Sequence, residues 1–385
     1  MYRHRIYPSR KQKARIINSL KTCKAIYNEL LALSIDAYKF GKVFLSGFDC
    51  NKYLTGKYPE IYSQSKQNVS DRVYKAFQNF FRRVKEHSKE KGFPRFKSRV
   101  NSITFPQSGF KILSDKRLKL SKVGNVPIVL HRVPKGKIKT LTIKQNKVGQ
   151  WFAVFSCGLP DVAAQHPSNK AVGIDMGLEN FAVLSDGTIV PNPRHLIKAE
   201  HKIKRLQRRL SRKVKGSNNR RKARFRLAKQ HLKVANIRTD FLHKLSRSLT
   251  LQYGIIAVEK LNIKGMLHNH YLAKSISDAA WSQFLRMIPY KAVNSGGIIK
   301  EVEAKGTTSE CFCGQKVNMP LSERIFHCPS CGLTEHRDIK ASYSICDRAG
   351  LARISTPVET SSSATEQSVV SAVVEAGTTF GSTSS

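Results

Sequence analysis

The sequence predicts a multidomain protein of the α+β class. Apolar residues recur at helical spacing over about residues 11–40 and 69–87, whereas short β-type runs separated by Gly and Pro fill residues 92–160. From about residue 170 onward, apolar strands alternate with helical stretches, and two of these strands carry an acidic residue. With 385 residues, the chain is long enough for two or three domains with separate cores.

The charge balance of the chain is strongly positive, because 68 Lys and Arg face 26 Asp and Glu, a formal net charge of +42. Such an excess indicates a polyanionic partner, and nucleic acid is favoured over a membrane surface because cationic side chains release counterions from phosphates. No apolar run reaches transmembrane length, and the basic start MYRHRIYPSRKQKARI lacks the apolar core of a signal peptide. We therefore expect a soluble intracellular protein without a disulfide framework.

The first part of the chain predicts a short strand at residues 1–7 followed by two helices. The apolar face of the helix over residues 11–40 contains Ile16, Leu20, Tyr27 and Leu31. The apolar face of the helix over residues 69–87 contains Val69, Val73, Phe77, Phe80 and Val84. The opposite face of this second helix carries Lys75, Gln78, Arg82 and Lys85, which are either solvated or in contact with nucleic acid.

The segments SITFP, LKLSKV, VPIVLHRV, KTLTIKQ and WFAVFSCGL predict a small antiparallel barrel or sheet between residues 92 and 160. The segment GFPRFKSR at its start is basic and contains two aromatic residues. Its cations Arg95 and Lys97 are therefore candidates for RNA contact, although an irregular loop would have the same composition.

Residues 201–233 predict a strongly basic helical hairpin, in which 15 of 33 residues are Lys or Arg and none is acidic. The sequence Gly-Ser-Asn-Asn at residues 216–219 interrupts the helical pattern. A charged helix face is usually only solvated, but this many cations would repel one another unless an anion neutralised them. The candidate nucleic-acid contacts are Arg205, Arg208, Arg209, Arg212, Arg220 and Arg221.

Acidic residues in apolar strands are the strongest sign of chemistry in the second half of the chain. Asp175 ends the strand AVGID, Glu259 lies in GIIAVEKLN, and Asp338 begins a helix. Singly, Asp175 is explained by a strand-end turn and Glu259 by a salt bridge to a lysine such as Lys260. Together, a strand Asp, a strand Glu and a helix Asp in this order are typical of RNase H-like nucleases. Hydrolysis of a phosphodiester there needs two Mg²⁺ ions, which prefer carboxylate oxygens.

Other acids compete for this role. Glu301 and Glu303 share one face of the strand in GGIIKEVEAK, and Asp186 is assigned to the turn Ser-Asp-Gly.

Two cysteine pairs, C-F-C-G and C-P-S-C-G, predict a structural zinc site formed by Cys311, Cys313, Cys328 and Cys331. The alternative is four unligated thiols. The first pair is one residue shorter than the usual C-x₂-C knuckle, and His327 is the nearby substitute ligand. A catalytic zinc is not favoured, because four cysteines leave no open coordination position.

Over residues 1–350, the chain resembles the TnpB family of transposon-encoded RNA-guided DNA endonucleases, which are ancestral to type V CRISPR effectors. The resemblance is carried by RIYPSRKQ, AFQNFFRR, GFPRFKSR with ITFPQSGFKI, GIDMGLENFAVLSDG, AVEKLNIKGM and TSECFCG…CPSCGLTEHRDIKAS. It implies a β-barrel wedge domain (residues 1–10 and 92–165) with an inserted helical recognition domain (11–91). It further implies an RNase H-like RuvC nuclease domain (166–305 and 336–350) with an inserted zinc ribbon that binds target nucleic acid (306–335).

The resemblance also implies a function for the residues above. Asp175, Glu259 and Asp338 match the family's catalytic, Mg²⁺-binding acids, with Mn²⁺ as an alternative ion, and the four cysteines match its zinc ligands. The implied partners are one guide RNA per protein monomer and double-stranded target DNA cut beside a short flanking motif, in the cytoplasm at the bacterial nucleoid. The alternatives are a nuclease-inactive RNA-guided binder and an RNA-independent transposase accessory protein.

The last segment, residues 351–385, predicts a disordered tail. Fifteen of its 35 residues are Ser or Thr.

Overall fold

The computed structural model describes residues 1–41, 43–88, 92–113, 116–158, 166–320 and 323–351. The chain divides into two compact units, Met1–Asp161 and Val162–Ser385. Both contain helices and a sheet, so the α+β class predicted from the sequence is confirmed. Except for Leu351, the predicted Ser/Thr tail lies outside the described residues. None of the described helices is long and apolar enough to cross a bilayer.

The first unit contains a seven-stranded antiparallel sheet with the strand order β2-β6-β7-β1-β5-β4-β3. Its strands are β1 (Tyr2–Ile6), β2 (Ser102–Pro106), β3 (Phe110–Ile112), β4 (Arg117–Leu120), β5 (Gly124–Val129), β6 (Lys137–Gln145) and β7 (Trp151–Gly158). The edge strands β2 and β3 are consecutive in the chain and are joined by a 3₁₀ turn, Gln107–Gly109. Because this turn is short, the two edges of the sheet approach each other and the sheet nearly closes.

Three helices belong to the first unit: α1 (Arg10–Gly41), α2 (Gly47–Tyr53) and α3 (Ser63–Lys85). The predicted apolar residues of α1 are buried in one core with the inward-facing residues of the sheet, and Val69, Val73 and Phe77 of α3 join them. Val84 is exposed because α3 ends one residue later. The short helix α2 was not predicted, although Ser46 and Asp49 form a capping box that marks its start.

The second unit contains a five-stranded mixed sheet with the order β10-β9-β8-β11-β12. Its strands are β8 (Ala171–Asp175), β9 (Asn180–Leu184), β10 (Ile189–Pro191), β11 (Ile255–Glu259) and β12 (Ile298–Val302). Strands β8, β9 and β10 form an antiparallel meander, whereas β11 and β12 run parallel to β8. This is the sheet of the RNase H-like class predicted from the sequence.

The remaining elements of the second unit surround this sheet. The helices are α4 (His195–Ser211), α5 (Asn218–Gln252), α6 (Ile263–Met266), α7 (Ala273–Ala279), α8 (Trp281–Asn294) and α9 (Arg337–Arg348). A separate hairpin of β13 (Ile325–His327) and β14 (Thr334–His336) lies within the cysteine-containing segment and leads directly into α9.

Helix α9 packs unusually close to β8 at Gly173. A Cβ atom at Gly173 would lie 2.3 Å from the backbone oxygen of Ser342 and 3.0 Å from the backbone nitrogen of Cys346. Only a residue without a side chain therefore lets the helix approach the strand at this point.

Replacing Gly173 by Ala should destabilise the second unit by about 1–3 kcal/mol, because the helix must move away from β8. Thermal unfolding of the purified protein would measure this loss. The matched control is Gly158→Ala in β7, where a new Cβ meets only the end of the flexible Lys139 side chain. An unfolding midpoint for Gly173→Ala equal to that of the control would contradict the close packing.

Candidate functional site

The sheet of the second unit brings the predicted acids Asp175 and Glu259 to neighbouring strand ends. Strands β8 and β11 run parallel, and Ile174 of β8 pairs with Val258 of β11. The next residues, Asp175 and Glu259, are the last of their strands, so both acids lie at the same edge of the sheet. Asp338 lies in the first turn of α9, the helix that packs on β8. The positive end of the helix dipole favours a carboxylate there. The three acids thus converge from elements that are far apart in the sequence.

Burial and mutual repulsion dominate the electrostatics of this acidic site. Desolvation raises the pKa of Asp175 to about 7, the charges of Glu259 and Asp338 add to the rise, and Arg337 opposes it. Burial also raises the pKa of Glu259, although the hydrogen bond from Thr307 and the charge of Arg348 lower it. Since both neighbours act on Asp175, it is the central acid of the group. A bound cation would stabilise the ionised form of all three.

The raised pKa of Asp175 predicts a pH-dependent stability of the protein without divalent cations. Asp175 keeps its proton in the folded state up to about pH 7 but loses it near pH 4 when unfolded, so stability should fall as the pH rises between these values. We expect the unfolding midpoint of the native protein to fall relative to Asp175→Asn by about 5 °C between pH 4.5 and pH 7.5. Parallel pH profiles of the two proteins would contradict the raised pKa.

Two residues that the sequence did not indicate contact the acids. The hydroxyl of Thr307 donates to Oε1 of Glu259 at 2.5 Å. Arg324, just before β13, lies 3.6 Å from Oδ2 of Asp338 and forms a second ion pair with Glu179. Both come from the segment between β12 and α9, and neither has a sequence signal of its own, because an isolated Thr or Arg is common on any surface.

The competing acids have other surroundings. Glu301 is exposed on β12, and Glu303 is exposed directly after this strand, 3.4 Å from Lys260. Asp186 lies in the predicted turn, where it accepts hydrogen bonds from the backbone of Thr188 and from the hydroxyl of Tyr253.

The four predicted cysteines form one cluster. Their four Sγ atoms all lie within 4.8 Å of one another. Among the described residues, no other set of three or more His, Cys, Asp or Glu side chains brings its ligand atoms this close together. The Sγ atoms of Cys311 and Cys331 are 3.5 Å apart, and those of Cys313 and Cys328 are 3.6 Å apart. Tetrahedral zinc with Zn–S bonds of about 2.3 Å places sulfur atoms about 3.8 Å apart, so the cluster fits this ion despite the shortened first pair.

The backbone around the cysteines supports a metal site. Gly314 and Gly332, which follow the two pairs, have φ angles of 87° and 73°, and glycine permits the tight turns that this backbone conformation makes. Burial raises the pKa of Cys328, but backbone N–H groups of Cys331 and Ser330 outweigh it and lower the pKa to about 6, which favours the thiolate. His327 is exposed and contacts Thr334 at 2.8 Å, outside the cluster.

Two cations of α9 hold the chain that leads into the cysteine cluster. Arg348 donates to the backbone oxygens of Glu303 and Lys305 and pairs with Glu310 at 2.6 Å. Lys340 donates to the backbone oxygens of Thr307 and Glu310, and burial is the main cause that lowers its pKa. The helix that carries Asp338 therefore also fixes Thr307, the partner of Glu259.

The predicted nucleic-acid contacts of the first unit lie on exposed surfaces. Lys75, Gln78 and Arg82 are exposed on α3, but Arg82 pairs with Glu86 through two hydrogen bonds of 3.0 Å. Arg95 and Lys97 are exposed as well, and Asn28 binds both the N–H and the C=O of Lys97. These bonds fix the backbone of the GFPRFKSR segment while leaving its cationic side chains exposed.

Helices α4 and α5 form the predicted basic hairpin and pack along each other. A groove between them is lined by Arg209, Lys213, Lys222 and Arg226. Of the predicted contacts, Arg205, Arg208, Arg209, Arg212 and Arg221 are exposed. Arg220 is half-buried, and its guanidinium donates to the backbone oxygens of Leu210 and Lys213 at 3.1 and 2.9 Å. It therefore closes the C-terminal end of α4.

The neighbours Arg220 and Arg221 should respond differently to removal of their charge. We expect Arg221→Gln to weaken nucleic-acid binding and to reduce the salt dependence of binding by about one counterion, with an unchanged unfolding midpoint. Arg220→Gln should lower the midpoint, because it removes the two hydrogen bonds that tie the backbone of Leu210 and Lys213, at the end of α4, to α5. Binding titrations over a range of salt concentrations and thermal unfolding would test both, and equal effects of the two variants would contradict the assignment.

Comparison with known proteins places the chain in a family. Family models match residues 154–270 ("Probable transposase"), 281–345 ("Cas12f1-like, TNB domain") and 1–42 ("Helix-turn-helix domain"). In the last of these ranges, the structure has β1 and the single helix α1. A Streptomyces pristinaespiralis protein named "Putative RNA-guided DNA endonuclease" is 30% identical over 91% of this chain and 89% of its own length.

Two further similarities agree with this match. An Escherichia coli K12 protein named "Putative RNA-guided DNA endonuclease InsQ" is 28% identical over 89% of this chain and 90% of its own length. The fold is similar to that in a structure titled "Cryo-EM structure of the Cas12f1-sgRNA-target DNA complex". That similarity has a TM-score of 0.59 and 16% identity, and it covers 87% of this chain and 82% of that one. The chain belongs to the TnpB-like family of these named endonucleases.

Proposed function

We propose that this protein is an RNA-guided endonuclease that cuts double-stranded DNA beside a short flanking motif. The observation that carries the proposal is the convergence of Asp175, Glu259 and Asp338 in a chain whose relatives are named RNA-guided DNA endonucleases. In such enzymes, base pairing with the guide selects the sequence, and the protein reads the flanking motif and the nucleic-acid backbone.

The three acids would hold two Mg²⁺ ions, with Mn²⁺ as the alternative. Such ions activate the attacking water and stabilise the leaving 3′ oxygen in phosphodiester hydrolysis. Asp175, on which the charges of both other acids act, would contact both ions. Thr307 fixes one oxygen of Glu259, and close packing at Gly173 fixes the helix that carries Asp338. The protein thereby holds its carboxylates in place before substrate binds.

The four cysteines would hold one structural Zn²⁺, which leaves no open position for catalysis. We assign residues 1–10 and 92–165 to a wedge domain, 11–91 to a recognition domain, 166–305 and 336–350 to a RuvC-like nuclease domain and 306–335 to a zinc ribbon. The exposed cations of α3, α4 and α5 and of the GFPRFKSR segment would contact the guide RNA and the target DNA. The active particle would be one protein with one RNA, located at the nucleoid in the cytoplasm.

Sequencing of RNA that co-purifies with the protein tests the proposal. We expect one dominant RNA species. The variable end of this RNA should be complementary to the DNA strand that the protein binds. Recovery of no specific RNA, together with DNA cleavage by the RNA-free protein, would favour a guide-independent transposase role instead. Specific RNA and matched DNA binding without any cleavage in Mg²⁺ would favour a nuclease-inactive binder.

A further inference from the structure

Lys340 is buried although it carries a charge. It is the one Lys or Arg in the described part of the chain whose side chain is fully enclosed, with no exposed surface. Its ammonium donates to the backbone oxygen of Thr307 at 3.1 Å and also to that of Glu310. The ring centroid of Phe326 lies 4.5 Å from the same nitrogen. The ammonium is thus held in place by neutral groups.

No acidic side chain among the described residues forms an ion pair with Lys340. The nearest candidate, Glu310, directs its carboxylate to Arg348 at 2.6 Å and to Lys316 at 3.9 Å. Carbonyl oxygens and aromatic faces stabilise a cation only in part, so an enclosed ammonium without an anion is strongly unfavourable. The charge of Glu310 still favours the ammonium without direct contact, but the charge of Arg348 opposes it, so a further negative charge is needed.

The cysteine cluster supplies such a charge. Glu310, whose carbonyl binds Lys340, directly precedes Cys311, and Phe326 packs in one small core with Cys311 and Cys328. Zinc is bound by thiolates, and four thiolates around one dication carry a net charge of about −2. The enclosed ammonium thus lies beside the cysteines that would carry this negative charge in the zinc-loaded module.

We propose that Lys340 is the counter-ion of the zinc–thiolate centre and couples zinc loading to the position of the acidic site. This inference rests on the zinc site of the proposed function. Lys340 lies two residues after Asp338 in α9, and its acceptor Thr307 holds Glu259. When zinc is lost, the ammonium loses part of its compensating charge, and the anchors of Asp338 and Glu259 loosen together.

The test compares three variants of the full-length protein. Lys340→Met keeps the length of the side chain without the charge, and Lys340→Gln keeps hydrogen-bond donors without the charge. Lys316→Met, an exposed lysine three residues after Cys313, is the control. Competition with a chromophoric zinc chelator measures affinity. We expect both Lys340 variants to bind zinc about 10–100-fold more weakly than the native protein, and Lys316→Met to stay within about twofold.

Unfolding midpoints with and without zinc separate the counter-ion from a simple structural bridge. We expect Lys340→Met to lower the midpoint of the zinc-loaded protein but to leave unchanged or raise that of the zinc-free protein, because a buried ammonium with too little compensating charge has been removed. An equal loss in both states, or native zinc affinity in Lys340→Gln, would overturn the counter-ion role.

The same measurements distinguish failure of this role from failure of the proposed function. If the native protein binds zinc and cuts guide-matched DNA, but both Lys340 variants keep the native zinc affinity, only the counter-ion role of Lys340 is wrong. If the native protein binds no zinc, both the zinc site and the counter-ion role of Lys340 are wrong. Cleavage of guide-matched DNA by the same protein then tests the proposed function separately.

Discussion

Replacing Asp175 by Asn should reduce cleavage of guide-matched DNA about a thousandfold or more, while binding of RNA and target DNA stays at the native level. Asp175 is the central acid, since the charges of both Glu259 and Asp338 act on it. An amide in its place removes a negative charge that would hold both metal ions, and loss of several kcal/mol of transition-state stabilisation corresponds to this factor. Cleavage of a labelled target under single-turnover conditions measures the effect.

The matched control for Asp175→Asn is Glu301→Gln. Glu301 is exposed on β12, one strand beyond Glu259, and pairs in register with Val258. Its loss removes the same charge from the same sheet without touching the acidic site, so cleavage should stay within about twofold. Equal cleavage by both variants would show that the acid cluster is not the site of hydrolysis.

Replacing Cys328 by Ser should abolish stoichiometric zinc binding and reduce DNA cleavage at least about tenfold. Cys328 is enclosed in the core of the cysteine module, and structural zinc sites supply much of the folding free energy of such small modules. Residues 303–310 connect this module to the acids, because Arg348 and Lys340 hold their carbonyl groups and Thr307 binds Glu259. Zinc content by elemental analysis and cleavage rates measure the two effects.

The control for Cys328→Ser is Cys157→Ser in β7, a free thiol of the first unit outside the module. It should retain both zinc and activity. Full cleavage by a zinc-free Cys328→Ser protein would mean that the module does not support the acidic site.

Much of the site was predictable because its signals are local. An acid in a strand such as AVGID is expensive to bury without a cation, and the order of strand Asp, strand Glu and helix Asp is visible in the sequence. The cysteine spacing likewise indicates a metal cluster, which the Sγ distances support. Helical and alternating apolar patterns similarly predicted the long helices and the two sheets, since burial of one face imposes them.

The supporting residues were not predictable because their roles depend on tertiary packing. Thr307 meets Glu259 across 48 residues of sequence. Lys340 resembles any other lysine in a chain with 68 Lys and Arg, and only the fold shows that it is enclosed. Arg220 and Arg221 are adjacent and chemically identical, yet one closes a helix end and the other is exposed. Composition predicts a basic surface but cannot separate these roles.

Reprogramming of the guide tests the central claim most directly. The purified protein is loaded with its RNA, in which the guide segment has been replaced to match one site in a plasmid library with randomised flanking sequence. We expect linear products in Mg²⁺ only from plasmids that carry both the matched site and one preferred flanking motif, and none with an unmatched guide or with Asp175→Asn. Cleavage that is independent of the guide, or stable binding of matched plasmids without cleavage, would contradict the assignment as an RNA-guided DNA endonuclease.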